Sequence, residues 1–154
     1  MKKVTFLMLI LLAGIITRAQ SNKEEIDYFQ SIFGMEKKAV VQAFVTVDPA
    51  QKDEFWKIYD EYEAARKELG KNRIALLNEY AANYDKMTNE AADAWTAKVI
   101  KQGAETDKLL ATYYKKVKKA TNGVTALKFY QIESYILTMI RMTILDEVPF
   151  VQGK

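Results

Sequence analysis

Residues 125–147, TALKFYQIESYILTMIRMTILDE, decide the fold. Drawn as an α-helix, this stretch has apolar side chains around most of its circumference, whereas a helix at a protein surface carries one apolar stripe. A helix of this kind is covered on most of its sides. The stretch therefore predicts either the centre of a helical bundle or a helix that lies in an oligomer interface.

Three earlier segments follow the helical period as well, at about residues 22–45, 49–86 and 89–120. Asp48 and Thr88 are suited to cap the second and third segments, because their side-chain oxygens can accept hydrogen bonds from N–H groups of the first turn. No stretch alternates apolar and polar residues as a half-buried strand does. The sequence predicts an all-α fold, an antiparallel bundle of about four helices in which the second and third helices are long.

The N-terminus has the pattern of a cleaved export signal. Two lysines precede an apolar run at residues 4–16, and Thr17 and Ala19 are the small residues expected shortly before a cleavage point. As a helix, the run would be about 20 Å long, shorter than the ~30 Å hydrocarbon core of a membrane. We expect residues 1–19 to be a signal peptide and residues 20–154 to be a single helical domain, periplasmic or secreted and without a permanent membrane anchor.

The charge balance argues against nucleic acid as a partner. The full chain has 23 basic and 20 acidic residues. Lys2, Lys3 and Arg18 leave with the signal peptide, so the mature chain has 20 residues of each sign and no net charge. A neutral chain with mixed signs has no strong attraction to a phosphate backbone. We therefore expect no binding to nucleic acid.

Two missing residue types limit the chemistry that the chain can perform. It has no cysteine and no histidine, so it has no thiol nucleophile, none of the usual zinc and haem ligands, and no general base of the imidazole type. Its acidic residues are scattered over helix surfaces and form no calcium-binding loop. We expect a protein that is not an enzyme, with no catalytic residues, no cofactor and no metal site.

Aromatic residues at helical spacing allow two interpretations. They form the core of the bundle, as such a stripe does in any packed helix, or they line an open surface that binds a partner. Under the second interpretation, the candidate partner-binding residues are Phe55, Trp56, Tyr59 and Trp95. Trp56 lies beside the main stripe of its helix and is the best single candidate for an exposed contact.

Two charged residues, Glu133 and Arg141, interrupt the apolar fourth segment and lie two turns apart on roughly one face. A buried carboxylate without a cation is costly, so it requires a partner on another helix. The candidates are Arg73 and, failing that, Arg66, and such an ion pair would fix the register of the second and fourth helices. The alternative is that Glu133 emerges at a solvent edge of the bundle.

Three helix starts share a pattern, at residues 47–51 (VDPAQ), 87–91 (MTNEA) and 124–128 (VTALK): an apolar residue followed by a capping Asp or Thr. In an exported helical chain without cysteine, this pattern resembles the Leu-Thr-x-x-Gln pattern of the Spy/CpxP family of periplasmic proteins. The aromatic-rich segments FWKIYDEYE at 55–63 and KFYQIE at 128–133 are similar to segments of small exported helical proteins of Bacteroidetes type.

The resemblance implies a non-catalytic protein-binding module, either an ATP-independent chaperone or an adaptor of an envelope-stress sensor. Its partners would be unfolded proteins or envelope proteins, and a homodimer is possible because known members of the family are helical dimers. Two other functions stay open, a carrier of a small apolar ligand or lipid and a structural or dimerising envelope protein. A cavity inside the bundle favours the carrier, whereas an exposed apolar concave face favours the chaperone.

Export predicts one processing product. The chain should be cut between Ala19 and Gln20, because the small residues stand at the positions that a signal peptidase requires. Intact-mass measurement of the exported protein should give the mass of residues 20–154. A mature species that still carries residues 1–16 would contradict the assignment of the signal peptide.

Overall fold

Four α-helices and one 3-10 turn make up the part of the chain that the computed structural model describes, residues 36–151. The helices are α1 (Lys37–Phe44), α2 (Lys52–Ala81), α3 (Asn89–Ala120) and α4 (Gly123–Glu147), and the turn (Pro49–Gln51) precedes α2. No β-strand occurs within residues 36–151. The predicted all-α bundle with long second and third helices is confirmed. None of the described helices is long and apolar enough to span a lipid bilayer.

The two longest helices, α2 and α3, are antiparallel neighbours. From one contact to the next across this interface, the residue number rises on one helix and falls on the other. Three hydrogen bonds trace the pairing: Trp95 Nε1 to the Leu76 carbonyl at 2.9 Å, Gln102 Nε2 to the Leu69 carbonyl at 3.3 Å, and Lys116 Nζ to Glu61 Oε2 at 3.3 Å.

Helix α4 runs parallel to α2 and closes the bundle. Near the start of α4 the Phe129 ring packs against Tyr62, and just after its end the Pro149 carbonyl accepts a hydrogen bond from the Tyr80 hydroxyl at 2.6 Å. Residue numbers therefore rise in the same direction along α2 and α4. The second contact holds the chain after α4 against α2, while Phe150 itself is exposed. Because α3 is antiparallel to both helices, the three form an up-down-up bundle.

Capping side chains explain where two of the helices begin. The Thr88 hydroxyl accepts a hydrogen bond from the Ala91 amide at 3.2 Å, and α3 spans the residues that the sequence predicts. Helix α4 begins two residues earlier than the predicted Thr125, because Asn122 is the cap and accepts a hydrogen bond from the Thr125 amide at 2.9 Å. Thr125 is therefore buried inside the first turn.

The first and second predicted helices differ more from the structure. Helix α2 is continuous through Gly70 but ends at Ala81, before the predicted end at Lys86. After Ala81 the Asn83 side chain donates to the Glu79 carbonyl at 2.7 Å, so a side chain takes part in closing the last turn. Residues 22–35 of the first predicted helix, at 22–45, lie outside the described residues. The described remainder contains α1, which ends at Phe44.

The main buried core lies in the half of the bundle next to α1 and joins residues of all four helices. Its largest fully buried apolar side chains are aromatic and come from two helices, Phe55, Tyr59 and Tyr62 of α2 and Phe129 of α4. The Phe129 ring meets the Tyr62 ring edge to face, with ring centroids 5.3 Å apart. Residues of α1 and α3 complete this core, among them Val40, Val41, Tyr113 and Val117. The aromatic stripe of α2 is thus a packing surface in this half of the bundle.

Replacement of Phe129 by alanine should cost about 4 kcal/mol of unfolding free energy, because the ring is fully buried and leaves a cavity among aromatic neighbours. Leu127, two residues away on the same helix, is 49 % exposed. Its replacement by alanine should change the unfolding free energy by only about 0.5 kcal/mol. Urea unfolding of both variants measures the two values, and equal losses would contradict the described core.

Candidate ligand-binding groove

A groove between α2 and α4, with α3 as its floor, holds a cavity of about 290 Å³. Most of its wall is aliphatic, contributed by Leu69, Ile74 and Leu77 of α2 and by Leu137, Ile140 and Ile144 of α4. The volume is close to the lower end of the range for small-molecule sites, roughly 300–1,000 Å³. An apolar wall with a few polar groups is the usual composition of such sites.

The groove begins beyond the N-terminal end of α1. Helix α1 runs antiparallel to α4, since Thr125 Oγ1 donates to the Thr46 carbonyl at 3.5 Å and Lys37 Nζ contacts Glu133 Oε2 at 2.7 Å. This part of the chain therefore covers α4 from about Thr125 to Glu133. Leu137, one turn further along α4, is the first of its residues to line the groove.

The polar side chains of the groove floor already have hydrogen-bond partners within the bundle. The Gln102 amide group donates to the Leu69 carbonyl and to the Thr106 hydroxyl, at 3.3 and 3.2 Å. The Thr106 hydroxyl donates to the Gln102 carbonyl at 3.0 Å. These groups stabilise the contact between α2 and α3, so the floor requires no polar ligand to satisfy it.

A cluster of four charged side chains lies at the end of the groove nearest α1. Lys37 Nζ contacts both Glu63 and Glu133, and Arg66 Nε donates to Glu63 Oε1 at 2.8 Å. Glu133 is fully buried, and the side chains of Lys37, Glu63 and Arg66 are each at most 16 % exposed. The two positive and two negative charges balance, which is the condition under which charges persist in a protein interior.

The electrostatics of the cluster follow from this pairing. Burial by itself would raise the pKa of Glu63, but the positive charges of Lys37 and Arg66 lower it to about 2. Burial and the negative charge of Glu133 raise the pKa of the Tyr59 and Tyr62 hydroxyls. Within residues 36–151, neither of the two hydroxyls nor Glu133 Oε1 has a hydrogen-bond partner, although all three atoms are buried.

The structure corrects the predicted partner of Glu133. The expected interhelical pair with Arg73 is wrong, because the cation at Glu133 is Lys37 of α1 and Arg73 lies nearly three turns beyond Glu63, on the wall of the groove. Arg66, the second predicted partner, belongs to the same cluster and is bound to Glu63. The solvent-edge alternative is wrong as well, since Glu133 is fully buried.

Two arginines face each other across the groove, and no carboxylate of the described residues balances their charges as Glu63 and Glu133 balance those of the cluster. Arg73 of α2 and Arg141 of α4 both line the cavity. Within residues 36–151, neither forms an ion pair with a carboxylate. Burial, and then the positive charge of Arg141, lower the pKa of Arg73. The sequence points to Arg141 as a charge in an apolar helix, but not to its position opposite Arg73.

Two of the four aromatic candidates for partner binding are core residues. Phe55 and Tyr59 are fully buried or nearly so, so neither offers a surface to a partner, and this corrects the expectation for both. Trp56 is half-buried, packs edge to face on Phe55 and is covered by the Lys38 ammonium group 5.1 Å above its ring. Trp95 is half-buried beside Tyr80, and its indole N–H is bound to the Leu76 carbonyl.

The acidic side chains near the groove are few and paired. In the described part of the chain, no three acidic side chains are grouped closely enough to hold a metal ion. The buried carboxylates of Glu63 and Glu133 are both engaged by cations. The groove combines aliphatic walls with two cationic side chains, Arg73 and Arg141.

The chain matches no protein family, no curated protein and no solved structure. The resemblance to the Spy/CpxP family therefore stays a prediction.

The charge cluster predicts how stability depends on pH. Because the pKa of Glu63 falls from 4.5 to about 2 on folding, its contribution is fully present above pH 4.5 and is lost as the pH falls toward 2. In Glu63→Gln the unfolding free energy should be lower at neutral pH and should fall less over this acidic range. Urea unfolding at a series of pH values measures both effects.

Asp60→Asn is the matched control. Asp60 lies one turn before Glu63 and pairs with Lys38 at 2.6 Å, but its side chain is 61 % exposed. A solvent-exposed pair contributes little, so this variant should keep the acid dependence of the parent protein. If Glu63→Gln and Asp60→Asn gave the same curve as the parent, the buried cluster would not be the source of the acid sensitivity.

Proposed function

We propose that the protein is a non-catalytic carrier that binds a small apolar ligand or lipid in the groove between α2 and α4. The observation that carries the proposal is the aliphatic cavity of about 290 Å³ at that place. An aliphatic wall gains free energy when an apolar chain replaces water, at about 25 cal/mol per Å² of buried surface. The proposed site of action is the periplasm or the cell exterior, in line with the expected signal peptide.

The burial of the aromatic stripe favours the carrier over a chaperone with an open aromatic face. From the sequence, these two functions differ in one expectation: the aromatic side chains of the long helices are buried in a carrier and exposed in a chaperone. Phe55, Tyr59, Tyr62, Tyr80 and Tyr113 are all buried. An apolar cavity and a buried aromatic stripe together are the arrangement expected for a carrier.

A second candidate is the protein-binding role, a chaperone or an envelope-stress adaptor. It is favoured by one observation, the exposed apolar side chains on the outer face of α4. Val124 and Met142 point in one direction and Leu127 and Leu145 in a neighbouring direction, at the spacing of the helical repeat, and each is about half exposed or more. Such a face would take an apolar segment of an unfolded protein.

Calorimetric titration of the mature protein with decanol tests the carrier. We expect saturable binding at one site, with a dissociation constant of micromolar order after association costs. Leu77→Trp should abolish binding, because the indole fills the cavity that Leu77 lines. Leu127→Trp, on the exposed face of α4, is the control and should bind decanol like the parent protein.

Two results would decide against the carrier. One is the absence of saturable decanol binding to the parent protein, and the other is unchanged binding by a folded Leu77→Trp variant. If the parent protein then slowed aggregation of an unfolded client without ATP, and if Leu127→Gln removed that protection, the protein-binding role would replace the carrier.

A further inference from the structure

The groove contains two cationic side chains that its aliphatic wall does not explain. A binding site for a purely apolar ligand gains nothing from a guanidinium group, which loses hydration when the ligand enters. Arg73 and Arg141 nevertheless stand on opposite walls of the same cavity. Because α2 and α4 run parallel, these two positions face each other at a similar height, as do Tyr80 and Pro149 further along.

The contrast with Arg66 shows what these arginines lack. Arg66 lines the end of the same cavity, and a carboxylate binds its guanidinium group through two nitrogens, at 2.8 and 3.3 Å. Arg73 and Arg141 have no such carboxylate within residues 36–151, and the positive charge of Arg141 disfavours the charge of Arg73. An anion placed between them would relieve this repulsion.

We propose that Arg73 and Arg141 form the head-group site for an acyl carboxylate, whose hydrocarbon tail lies along the aliphatic wall of the groove. This proposal rests on the proposed carrier function and specifies its ligand class. Arginine suits the role, because its planar group presents paired N–H donors that match the two oxygens of a carboxylate. The tail would contact residues such as Leu77, Leu137 and Ile144.

The composition of the groove argues for an amphipathic anion over other anions. A free inorganic anion would use the two arginines but leave the aliphatic wall in contact with water. A nucleic acid needs a row of cations along its backbone, and this groove presents a pair of unbalanced ones on an apolar surface. A fatty acid uses both features of the groove at once.

Three ligands with the same hydrocarbon tail test the proposal on the full mature chain. Decanoate, decanol and decyltrimethylammonium are titrated by calorimetry at neutral pH, below the concentrations at which they form micelles. We expect decanoate to bind about tenfold more tightly than decanol, since charge-assisted hydrogen bonds discriminate by about this factor. The ammonium compound should bind more weakly than decanol, because its charge repels both arginines.

Substitution of one arginine separates the two parts of the site. Arg141→Gln should weaken decanoate binding about tenfold and leave decanol binding unchanged. Lys119→Gln is the control, because Lys119 is an exposed cation at the end of α3, away from the groove. If decanoate and decanol bound equally and Arg141→Gln affected neither, the head-group site would be overturned and the carrier would stand. If neither ligand bound, both proposals would be overturned.

The stability of the ligand-free variant gives a second, independent test. Removal of one of two repelling charges should leave the thermal unfolding midpoint of Arg141→Gln unchanged or raise it. A lower midpoint would mean that the Arg141 side chain stabilises the ligand-free chain instead of being repelled by Arg73. That result would overturn the proposal.

Discussion

The carboxylate of Glu133 lies inside the bundle with no access to solvent, and Lys37 brings an ammonium group to within 2.7 Å of it. An unpaired charge at this place would cost several kcal/mol, so the position of Lys37 is under strong constraint. Lys37 also contacts Glu63, and the three residues come from α4, α1 and α2. The ion cluster therefore holds α1 across the other two helices. It thereby determines which part of the α2–α4 surface α1 covers.

The two halves of the bundle use charge in opposite ways. Beside α1, two cations and two carboxylates balance within the core, and Glu63 keeps its charge because of its cationic neighbours. Beyond that cluster, the groove carries Arg73 and Arg141 without a described carboxylate. The first arrangement stabilises the fold, and the second leaves two positive charges that no carboxylate of the described residues neutralises. The same helices thus supply a half with paired buried charges and a half with two arginines that are unpaired within the described residues.

Local signals in the sequence predict the elements of this fold better than they predict its contacts. Thr88 is a cap whose hydrogen bond spans three residues, and the start of α3 follows from it. Asn122 takes the capping role assigned to Thr125, since both residue types are good caps and only the path of the chain decides between them. The Lys37–Glu133 pair joins residues 96 positions apart, and periodicity alone contains no information about which distant helix faces meet. For the same reason the sequence marks Arg141 as unusual, but does not predict the groove in which it lies.

Chemical-shift mapping by NMR, on the mature chain with decanoate added, tests the central claim most directly. The claim is that the groove between α2 and α4 is a binding site for an amphipathic anion. The account predicts changes at the guanidinium groups of Arg73 and Arg141 and at the methyl groups of Leu77, Leu137 and Ile144, with little change at Leu127. Changes confined to the outer face of α4, or none at ligand concentrations that saturate a micromolar site, would contradict it.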